Sequence, residues 1–466
     1  MYQKNILLVE PDFPIPTKSK NHKNFLPIGL LKLASYYRNQ NFEVDLIRGK
    51  KLSDKFITPS LIEITSLFTY WSDYVWDAVK FYREHFPDPD VTEIRVGGIY
   101  ASLHFENQDF RYKCKKYHVT PVKGVQEEVE NFFPAYDIVK NSDNHVDYQI
   151  IHSSRGCFRK CSFCGTWKIE PEFKGKKEIT STIESGLQMG LKNLVFYDNN
   201  LFYNPFIESI LKELAILRKE RKIGWCESQS GFDGRVLLQK PHLVPLLKKA
   251  GFRYPRIAWD WGYDQWPEIE KQIRILVDSG YNPKNITVFM IYNWKLDFEE
   301  MEQKRIKCWE WKVQISDCRN RPLEQLHDHY KPLKDQNHGN DYYINPNWTD
   351  AEIKQFRQNV RRQNICSRQN LAFHSKLLEH KKHFTKEHYN RLKLVSFGRA
   401  AKFLPDLWIP SKVTHPQNRD KWSVKPVEPP KNLAELLDAD QEMRDIWNEF
   451  VEQTPVKEEQ IVCLEN

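Results

Sequence analysis

The stretch Ser154-Arg-Gly-Cys-Phe-Arg-Lys-Cys-Ser-Phe-Cys-Gly-Thr166 carries three of the nine cysteines of this 466-residue chain. Cys157, Cys161 and Cys164 follow the spacing C-x-x-x-C-x-x-C. The apolar run from Tyr148 to Ile151 before them predicts a strand, and the glycines and basic residues among them predict a loop. The remaining cysteines are scattered along the chain, which excludes a disulfide framework and fits a reducing compartment.

Three thiolates on one tight loop can bind three irons of a cubane [4Fe–4S] cluster, because each cysteine ligates one iron. The fourth iron then has no protein ligand and can bind a small chelating molecule. Two alternatives stay open, namely a structural zinc site with His152 as its fourth ligand and three buried, inert cysteines. Zinc sites normally space their cysteine pairs differently and close the fourth position, so the spacing favours the cluster.

The loop resembles the cysteine motif of the radical S-adenosylmethionine (SAM) superfamily, through Cys157, Cys161, Cys164 and the aromatic Phe163. The resemblance implies that the open iron binds the amino and carboxylate groups of SAM. It also implies that the reduced cluster, supplied by a reductant such as flavodoxin or ferredoxin, cleaves SAM to a 5′-deoxyadenosyl radical. In such proteins the cofactors carry the difficult chemistry, and the protein orients the reactive atoms.

The chain continues after the loop as short strands that alternate with helices, up to about residue 334. With the strand before the cysteines this gives six strand–helix units, which is the partial (β/α)6 barrel that the resemblance implies. Barrel sites lie at the carboxyl ends of the strands. Two tryptophans just past strand ends, Trp261 and Trp294, are the expected substrate-facing aromatics. The polar residues at the strand ends include Asp198, Asn199, Glu227, Gln229 and Asp260.

These polar residues are assigned to SAM by position, because the Gly-Gly-Glu that the superfamily commonly carries near the second strand is absent. An ionised Asp198 can accept hydrogen bonds from the SAM ammonium group. Glu227 and Gln229 are expected to reach the ribose hydroxyls. The alternative is that polar residues at these positions only cap strand ends and helix starts.

Residues 1–140 also alternate strands with helices, which predicts a doubly wound, Rossmann-like parallel sheet with right-handed crossovers. Ligands of such sheets lie beyond the carboxyl ends of the strands. Thr65-Ser66-Leu67 ends one predicted strand, and Gly97-Gly98 ends the next. Glycines at this place allow a close approach between the backbone and a ligand.

This arrangement, placed before the cysteine loop, resembles the cobalamin-binding domain of many radical SAM proteins. The resemblance implies that Thr65, Ser66, Leu67, Gly97 and Gly98 hold cobalamin. In cobalamin mutases a D-x-H-x-x-G motif supplies a histidine to cobalt, but no histidine stands at that spacing after Asp12. The resemblance therefore implies cobalamin without a histidine ligand, and a domain that binds nothing stays open.

Residues 335–466 are predicted to form a mainly helical, basic extension with a proline-rich linker at 405–430 and a last helix at 432–453. A basic patch with aromatics could meet RNA or a phosphorylated substrate. A solvated basic helical face is the favoured alternative, because no RNA-binding motif is recognised. The net charge of +8 permits an anionic partner without requiring one. No secretory leader or membrane span is found, so a cytoplasmic protein without a membrane partner is expected.

The sequence thus predicts an α/β protein with a B12-binding-type domain at 1–140, a radical SAM barrel at 141–334 and an extension at 335–466. The expected activity is cobalamin-dependent methyl transfer to an unactivated centre of an unknown substrate. Two other functions stay open. One is a radical SAM enzyme without methyl transfer, for cyclisation, epimerisation or sulfur insertion, and the other is a metal-clamped RNA-binding protein.

Overall fold

The computed structural model describes residues 5–15, 26–140, 146–368, 441 and 444–445. The predicted basic region beyond Arg368 and the proline-rich linker lie outside the described residues, as does nearly all of the predicted last helix. None of the described helices has the length and apolar character needed to cross a membrane.

Strands and helices alternate through the described part of the chain. The strands are β1 (Asn5–Glu10), β2 (Glu43–Arg48), β3 (Leu61–Ser66), β4 (Glu93–Gly98), β5 (Val119–Pro121), β6 (Tyr148–Ile151), β7 (Ser154–Arg155), β8 (Lys174–Gly175), β9 (Asn193–Phe196), β10 (Cys226–Ser228), β11 (Arg256–Ala258), β12 (Thr287–Tyr292) and β13 (Gln314–Arg319). The helices are α1 (Ile28–Asn39), α2 (Ser72–His85), α3 (Ile99–Leu103), α4 (Gln108–Lys116), α5 (Glu127–Glu130), α6 (Asp137–Lys140), α7 (Thr166–Ile169), α8 (Thr180–Gln188), α9 (Ile207–Lys219), α10 (Gly234–Gln239), α11 (Leu243–Lys249), α12 (Trp266–Asp278), α13 (Phe298–Glu310) and α14 (Asp350–Arg368).

The first five strands form a parallel sheet in the order β2-β1-β3-β4-β5. This is the doubly wound order with a switch point between β1 and β3. Successive side chains of a strand point to opposite faces. Ile6 and Leu8 of β1 accordingly pack with α1, whereas Leu7 and Val9 pack with α2 on the other face. The predicted doubly wound α/β sheet is confirmed.

Six further parallel strands, β6 and β9 to β13, lie side by side in the same order as along the chain. They pair in the orders β10-β9-β6 and β11-β12-β13. Two isolated parallel bridges, from Cys226 to Phe252 and from Phe232 to Ile257, join the two groups. This order is the one that the six predicted strand–helix units require.

A single hydrophobic core packs the helices from α8 to α14 against one face of these six strands. The core extends past the predicted domain boundary at residue 334, because Tyr342, Trp348 and Phe356 are buried in it. The chain from Tyr342 to Val360 is therefore packed as part of the six-strand unit.

The segment after β13 holds the first sheet against the six-strand unit. The hydroxyl of Ser72 donates a hydrogen bond to the carbonyl of Leu326 at 2.8 Å. A ring nitrogen of His104 lies 3.0 Å from the carbonyl oxygen of Leu323. These contacts bring α2 and α3 of the first sheet next to the chain that leaves the last strand of the second.

Candidate cofactor sites

The cysteine loop runs from β7 to α7. The thiols of Cys157, Cys161 and Cys164 are all partly exposed, whereas Cys114, Cys226 and Cys308 are buried. The backbone N–H of Cys164 donates to the carbonyl of Cys161 at 3.1 Å, and the indole N–H of Trp167 donates to the same oxygen at 3.1 Å. The loop is therefore a tight turn that leaves its three sulfurs accessible.

Three contacts fix the position of this turn. Gly156 has a φ of 77°, and a Cβ there would lie 2.1 Å from the carbonyl oxygen of Glu172, so only glycine fits. The N–H of Gly156 donates to Glu170 Oε2 at 2.8 Å. On the other side, Arg159 Nε lies 2.7 Å from Asp233 Oδ2. The loop is thus anchored both to the segment that follows it and to the six-strand unit.

The Cys161 thiol lies in the electrostatic field of the other two loop thiols and of Asp260. Burial raises the pKa of Cys161, and Cys164, Asp260 and Cys157 raise it further. Within the described residues, no three side chains of His, Cys, Asp or Glu gather around a point where one metal ion would bind, and these thiols are included. A cubane cluster binds each thiolate at a different iron. The chemistry of three accessible thiols on one turn fits that group.

The aromatic residue beside the last cysteine contacts the end of β12. The ring of Phe163 lies edge-on against Trp294, with centroids 5.1 Å apart, and Trp294 lies 5.4 Å from Trp261. The ammonium group of Lys295 lies 5.0 Å from the Trp294 ring. Trp294 is 8% exposed and Trp261 is 40% exposed. Of the two predicted substrate-facing tryptophans, Trp261 is the accessible one.

Asp198 differs from its predicted role. Its carboxylate is fully buried at the end of β9 and accepts hydrogen bonds at 2.6 Å from the hydroxyls of Ser153 and Ser154. The N–H of Ser153 donates to its second oxygen at 3.1 Å. Burial raises the pKa of Asp198, and the serine hydrogen bonds lower it. Both oxygens are therefore used to join β9 to the chain before the cysteines, and neither faces open space for an ammonium group.

Asn199, next along the chain, does contact the cysteine loop. Its Oδ1 accepts from the hydroxyl of Thr166 at 3.3 Å, and its Nδ2 donates to Glu170 Oε2 at 3.4 Å. Glu170 also lies 2.9 Å from Arg155. Glu170 is a site residue that the sequence analysis missed, because no motif marks a lone glutamate six positions after the last cysteine.

Glu227 and Gln229 are also engaged within the protein. Glu227 is 2% exposed, forms an ion pair with Arg256 and lies 3.5 Å from Arg253 Nε. The amide nitrogen of Gln229 donates to Glu227 Oε1 at 3.2 Å. Because a buried carboxylate needs such partners, Glu227 has a structural role here. The contact of Glu227 and Gln229 with the ribose stays a prediction.

Asp260, after β11, keeps the environment expected of a functional acid. It is partly exposed, and burial raises its pKa to about 6 although Lys304 lowers it. Lys304 is fully buried and donates to the carbonyls of Trp259 and Trp261, both at 2.7 Å. Burial lowers the pKa of Lys304 to about 8. The signal for this missed lysine is its place on the buried face of α13, between Met301 and Cys308.

A cavity of about 220 Å³ lies in the first sheet, between α1 and the carboxyl halves of β3 and β4. Thr65, Gly97 and Gly98, three of the five residues predicted to bind cobalamin, line it, and their binding role stays a prediction. Arg155 and Glu170, which flank the cysteine loop, also line this cavity. The cavity of the first sheet and the cysteine loop are therefore neighbours.

Ser66 and Leu67 do not line this cavity. The hydroxyl of Ser66 donates to the carbonyl of Gly97 at 2.7 Å and accepts from the N–H of Ala101 at 3.0 Å. Leu67 packs in the core on the opposite face of the sheet. A Cβ on Gly98, where φ is 98°, would lie 2.2 Å from the carbonyl oxygen of Ser66. Ser66 and Gly98 therefore hold the ends of β3 and β4 together.

The cavity fits one part of a cobalamin molecule. Its walls combine apolar side chains, including Leu30, Leu33 and Val122, with charged ones such as Lys32 and Glu130. An apolar cavity of about 150 Å³ holds benzene, so this one can hold a bicyclic ring such as dimethylbenzimidazole. A corrin ring would remain outside it. Phe68 and Ile99, the apolar residues that follow the ends of β3 and β4, are 42% and 40% exposed.

No protein-family model matches the sequence, and no curated protein matches it as a relative. Two solved structures of the cobalamin-dependent S-adenosylmethionine radical enzyme OxsB match 70% of this chain at a TM-score of 0.48, with 15% and 14% identity. One contains aqua-cobalamin, and the other contains aqua-cobalamin and SAM. The match spans 55% of the OxsB chain. The apo form of OxsB matches 100% of this chain and 75% of its own, at 14% identity and a TM-score of 0.46.

Proposed function

We propose that this chain is a radical SAM enzyme that binds a [4Fe–4S] cluster, SAM and cobalamin, and that it transfers a methyl group to an unactivated centre. The observation that supports it most is the cysteine loop, whose three accessible thiols follow β6 and whose flanking residues line the cavity of the first sheet. Sites commonly lie at such interfaces between domains.

The protein residues have separate roles in this proposal. Cys157, Cys161 and Cys164 hold the cluster. The cluster and SAM supply a 5′-deoxyadenosyl radical, and cobalamin supplies the methyl group. Phe163 and Trp294 pack over one side of the loop and exclude water. Asp260, whose charge raises the pKa of Cys161 and whose own pKa burial raises to about 6, can hold or release a proton near neutral pH.

In this proposal the cavity of the first sheet holds the dimethylbenzimidazole part of cobalamin, and the corrin ring stays outside the cavity. The wall residues Leu30, Leu33 and Val122 exclude water from a flat ring, and Gly97 and Gly98 keep the rim free of side chains. Among the described residues that line the cavity, none is a histidine. Cobalamin is therefore proposed to bind without a protein imidazole on cobalt.

The accessible test uses the abortive reaction that needs no substrate. The anaerobically reconstituted full chain is reduced with SAM, and 5′-deoxyadenosine and S-adenosylhomocysteine are quantified with and without cobalamin. The proposal expects 5′-deoxyadenosine in both samples, and S-adenosylhomocysteine only when cobalamin is present. The variant with all three loop cysteines replaced by alanine is the control and should give neither product.

Two other results would replace the proposal. If 5′-deoxyadenosine forms but S-adenosylhomocysteine never does, the chain is a radical SAM enzyme of the non-methylating kind. If the purified chain holds zinc without iron and cleaves no SAM, the metal-clamped binding protein takes its place.

A further inference from the structure

We propose that an exposed surface beside the cysteine loop is the docking site for the protein that reduces the cluster, and that this partner is a small, acidic one-electron donor. We call it the loop surface, and it consists of three exposed aromatic residues and two exposed lysines, namely Phe158, Tyr203, Phe206, Lys160 and Lys177. The inference rests on the proposed function, because it requires a cluster that is reduced. It adds a site for the reductant, which no motif of the sequence locates.

The aromatic part of the loop surface is ordered by ring contacts and is still open to solvent. The rings of Phe158 and Tyr203 stack with centroids 3.8 Å apart, and the ring of Phe173 lies edge-on against Tyr203 at 4.8 Å. Phe158, Tyr203 and Phe206 are 41%, 39% and 37% exposed. Exposed apolar residues normally stand singly on a protein surface, and aromatic residues are enriched where proteins bind one another. A stacked pair that stays exposed therefore indicates an interface.

The surroundings of these rings are cationic. Residues 155–178 contain seven Lys or Arg residues and three Glu residues, so this short stretch carries half of the net charge of +8 of the whole chain. Lys160 and Lys177 are exposed, and neither forms an ion pair within the part of the chain that the structure describes. The ammonium group of Lys177 lies 5.9 Å from the ring of Phe206. Because complementary charges steer proteins together, this surface suits a partner with an acidic face.

The loop surface lies on the outer side of the cysteine loop. At the other end of the loop, a Cβ on Gly165 would lie 3.1 Å from Leu103 of α3, so that end faces the first sheet. Phe163 faces Trp294 at the end of β12. SAM and cobalamin are proposed on these two sides, which leaves the side of Phe158 for a donor protein. Phe158 directly follows Cys157, so a partner that docks there lies one residue from a proposed cluster ligand.

The step that this docking serves is the transfer of one electron. The reduced flavin or iron–sulfur centre of the partner loses one electron, the cluster gains it, and no covalent bond forms or breaks. Such redox encounters are weak and bury less than about 1,200 Å² in total. A surface of a few exposed rings and lysines matches a contact of that size.

The test measures the binding of the full-length reconstituted protein to a bacterial flavodoxin and to a [2Fe–2S] ferredoxin, both acidic, at low and at high salt. We expect the double variant Lys160→Glu with Lys177→Glu to raise the dissociation constant for the tighter of the two at least about tenfold at low salt. High salt should reduce this difference, because exposed charges are screened beyond about 10 Å at 0.1 M salt. Lys219→Glu is the matched control and should bind as the wild type does, because this exposed lysine ends α9 about 20 Å along the helix from Phe206.

A second variant tests the aromatic part without touching the cysteine loop. Phe206 is the N-cap residue of α9, and serine is a preferred residue at that position. Phe206→Ser should therefore fold, keep its iron and bind the partner about threefold more weakly. In every variant of the loop surface, the rate of cluster reduction by the partner should fall by the same factor as the affinity. The iron content and the cluster absorbance should equal those of the wild type.

A cross-linking experiment identifies the occupant of the surface directly. A carbodiimide joins an ammonium group to a carboxylate that it contacts. We expect Lys160 or Lys177 of the full-length chain to be joined to a carboxylate of the acidic partner. A link from these lysines to residues 432–453 of the same chain would show that this acidic stretch occupies the loop surface, and it would overturn the inference.

The remaining outcomes separate the docking site from the proposed function. If the wild type binds neither acidic protein, if the double lysine variant binds as the wild type does, or if Lys219→Glu weakens binding as much, the inference is wrong while the enzyme function stands. If the wild type instead binds single-stranded RNA through these lysines, the loop surface serves a nucleic acid. A chain that holds no iron after reconstitution would contradict the proposed function itself.

Discussion

Phe163 packs its ring edge-on against Trp294, with the two centroids 5.1 Å apart and the planes at 83°. The contact joins the cysteine loop to the end of β12, at the other side of the six-strand unit. The loop is therefore held over the strand ends by an aromatic contact as well as by its polar anchors. Its location then depends on the packing of the whole unit.

The energy of this contact can be measured by a double-mutant cycle. Edge-to-face aromatic pairs contribute about 0.5–1.5 kcal/mol beyond the area they bury. We expect Phe163→Leu and Trp294→Leu to show a coupling of about 1 kcal/mol in urea unfolding of the cluster-free protein. The pair Phe163→Leu and Trp311→Leu, with no direct ring contact between them, is the control. If the losses in free energy of unfolding for Phe163→Leu and Trp294→Leu are strictly additive, the ring contact does not stabilise the position of the loop.

The cysteine loop should bind iron through its three thiols alone. Anaerobic reconstitution should give about four irons per chain, the content of a [4Fe–4S] cluster. Replacing Cys157, Cys161 and Cys164 with alanine should abolish the bound iron and its absorbance. Cys318→Ser is the matched control, because Cys318 is also exposed but lies on β13 outside the loop. Iron loss in the control would show that the ligand set is wrong.

We expect the replacement of Asp198 to affect the free energy of unfolding more than the binding of SAM. Asp198→Ala leaves the N–H of Ser153 and the hydroxyls of Ser153 and Ser154 without their acceptor, so we expect a loss of about 2–3 kcal/mol in the free energy of unfolding. Asn199→Ala, at the next position and partly exposed, should lose less than about 1 kcal/mol. Unchanged stability of Asp198→Ala with weaker SAM binding would instead support its role as the ammonium ligand.

The glycine pair at the end of β4 offers a sharp contrast. A Cβ on Gly98 would meet the carbonyl oxygen of Ser66 at 2.2 Å in a positive-φ conformation, whereas a Cβ on Gly97 would lie 3.5 Å from Val122. We expect Gly98→Ala to destabilise the first sheet by more than about 2 kcal/mol and to lose cobalamin. Gly97→Ala should remain folded. Equal stability of the two variants, measured by urea unfolding, would refute this reading.

Glu10 should give the stability a pH dependence. Burial raises its pKa to about 7 although Arg48, 2.6 Å away, lowers it. The unfolded chain loses this proton near pH 4.5 and the folded chain near 7, so stability falls as pH rises between these values, by about 3 kcal/mol in total. Glu10→Gln should therefore equal the wild type below pH 4.5 and be more stable above pH 7. The free energy of unfolding of both proteins is measured by urea unfolding across this pH range. A difference between them that stays constant with pH would contradict the assignment.

The sequence was informative about elements that are local in the chain. The alternation of strands and helices along residues 1–140 predicted the doubly wound sheet, because the apolar pattern of each element lies within one short window. The spacing of the cysteines predicted a loop, and the structure has a tight turn there. Thr65, Gly97 and Gly98 were predicted at the rim of a ligand site, and they line a cavity.

The sequence was a poor guide to the partners of buried polar side chains. Asp198 and Glu227 stand at strand ends, where both ligands and structural hydrogen bonds are common. Asp198 accepts hydrogen bonds from the serines that follow β6, and Glu227 forms an ion pair with Arg256 of the next strand. Whether such a residue binds a ligand or makes structural hydrogen bonds depends on which residues the adjacent strands bring within about 3 Å. The pairing of those strands cannot be read from the sequence of either segment alone.

The sequence by itself determined the order of strands and helices and the presence of three closely spaced thiols, since both follow from short-range patterns. Only the tertiary structure decided that the flanks of the cysteine loop border the cavity of the first sheet. It also decided that Glu63 of β3, which lines that cavity, accepts a hydrogen bond from Tyr37 of α1. The physical reason is that burial and partner distance are set by how helices pack on strands far away in the chain, whereas periodicity records only which face of one element is apolar.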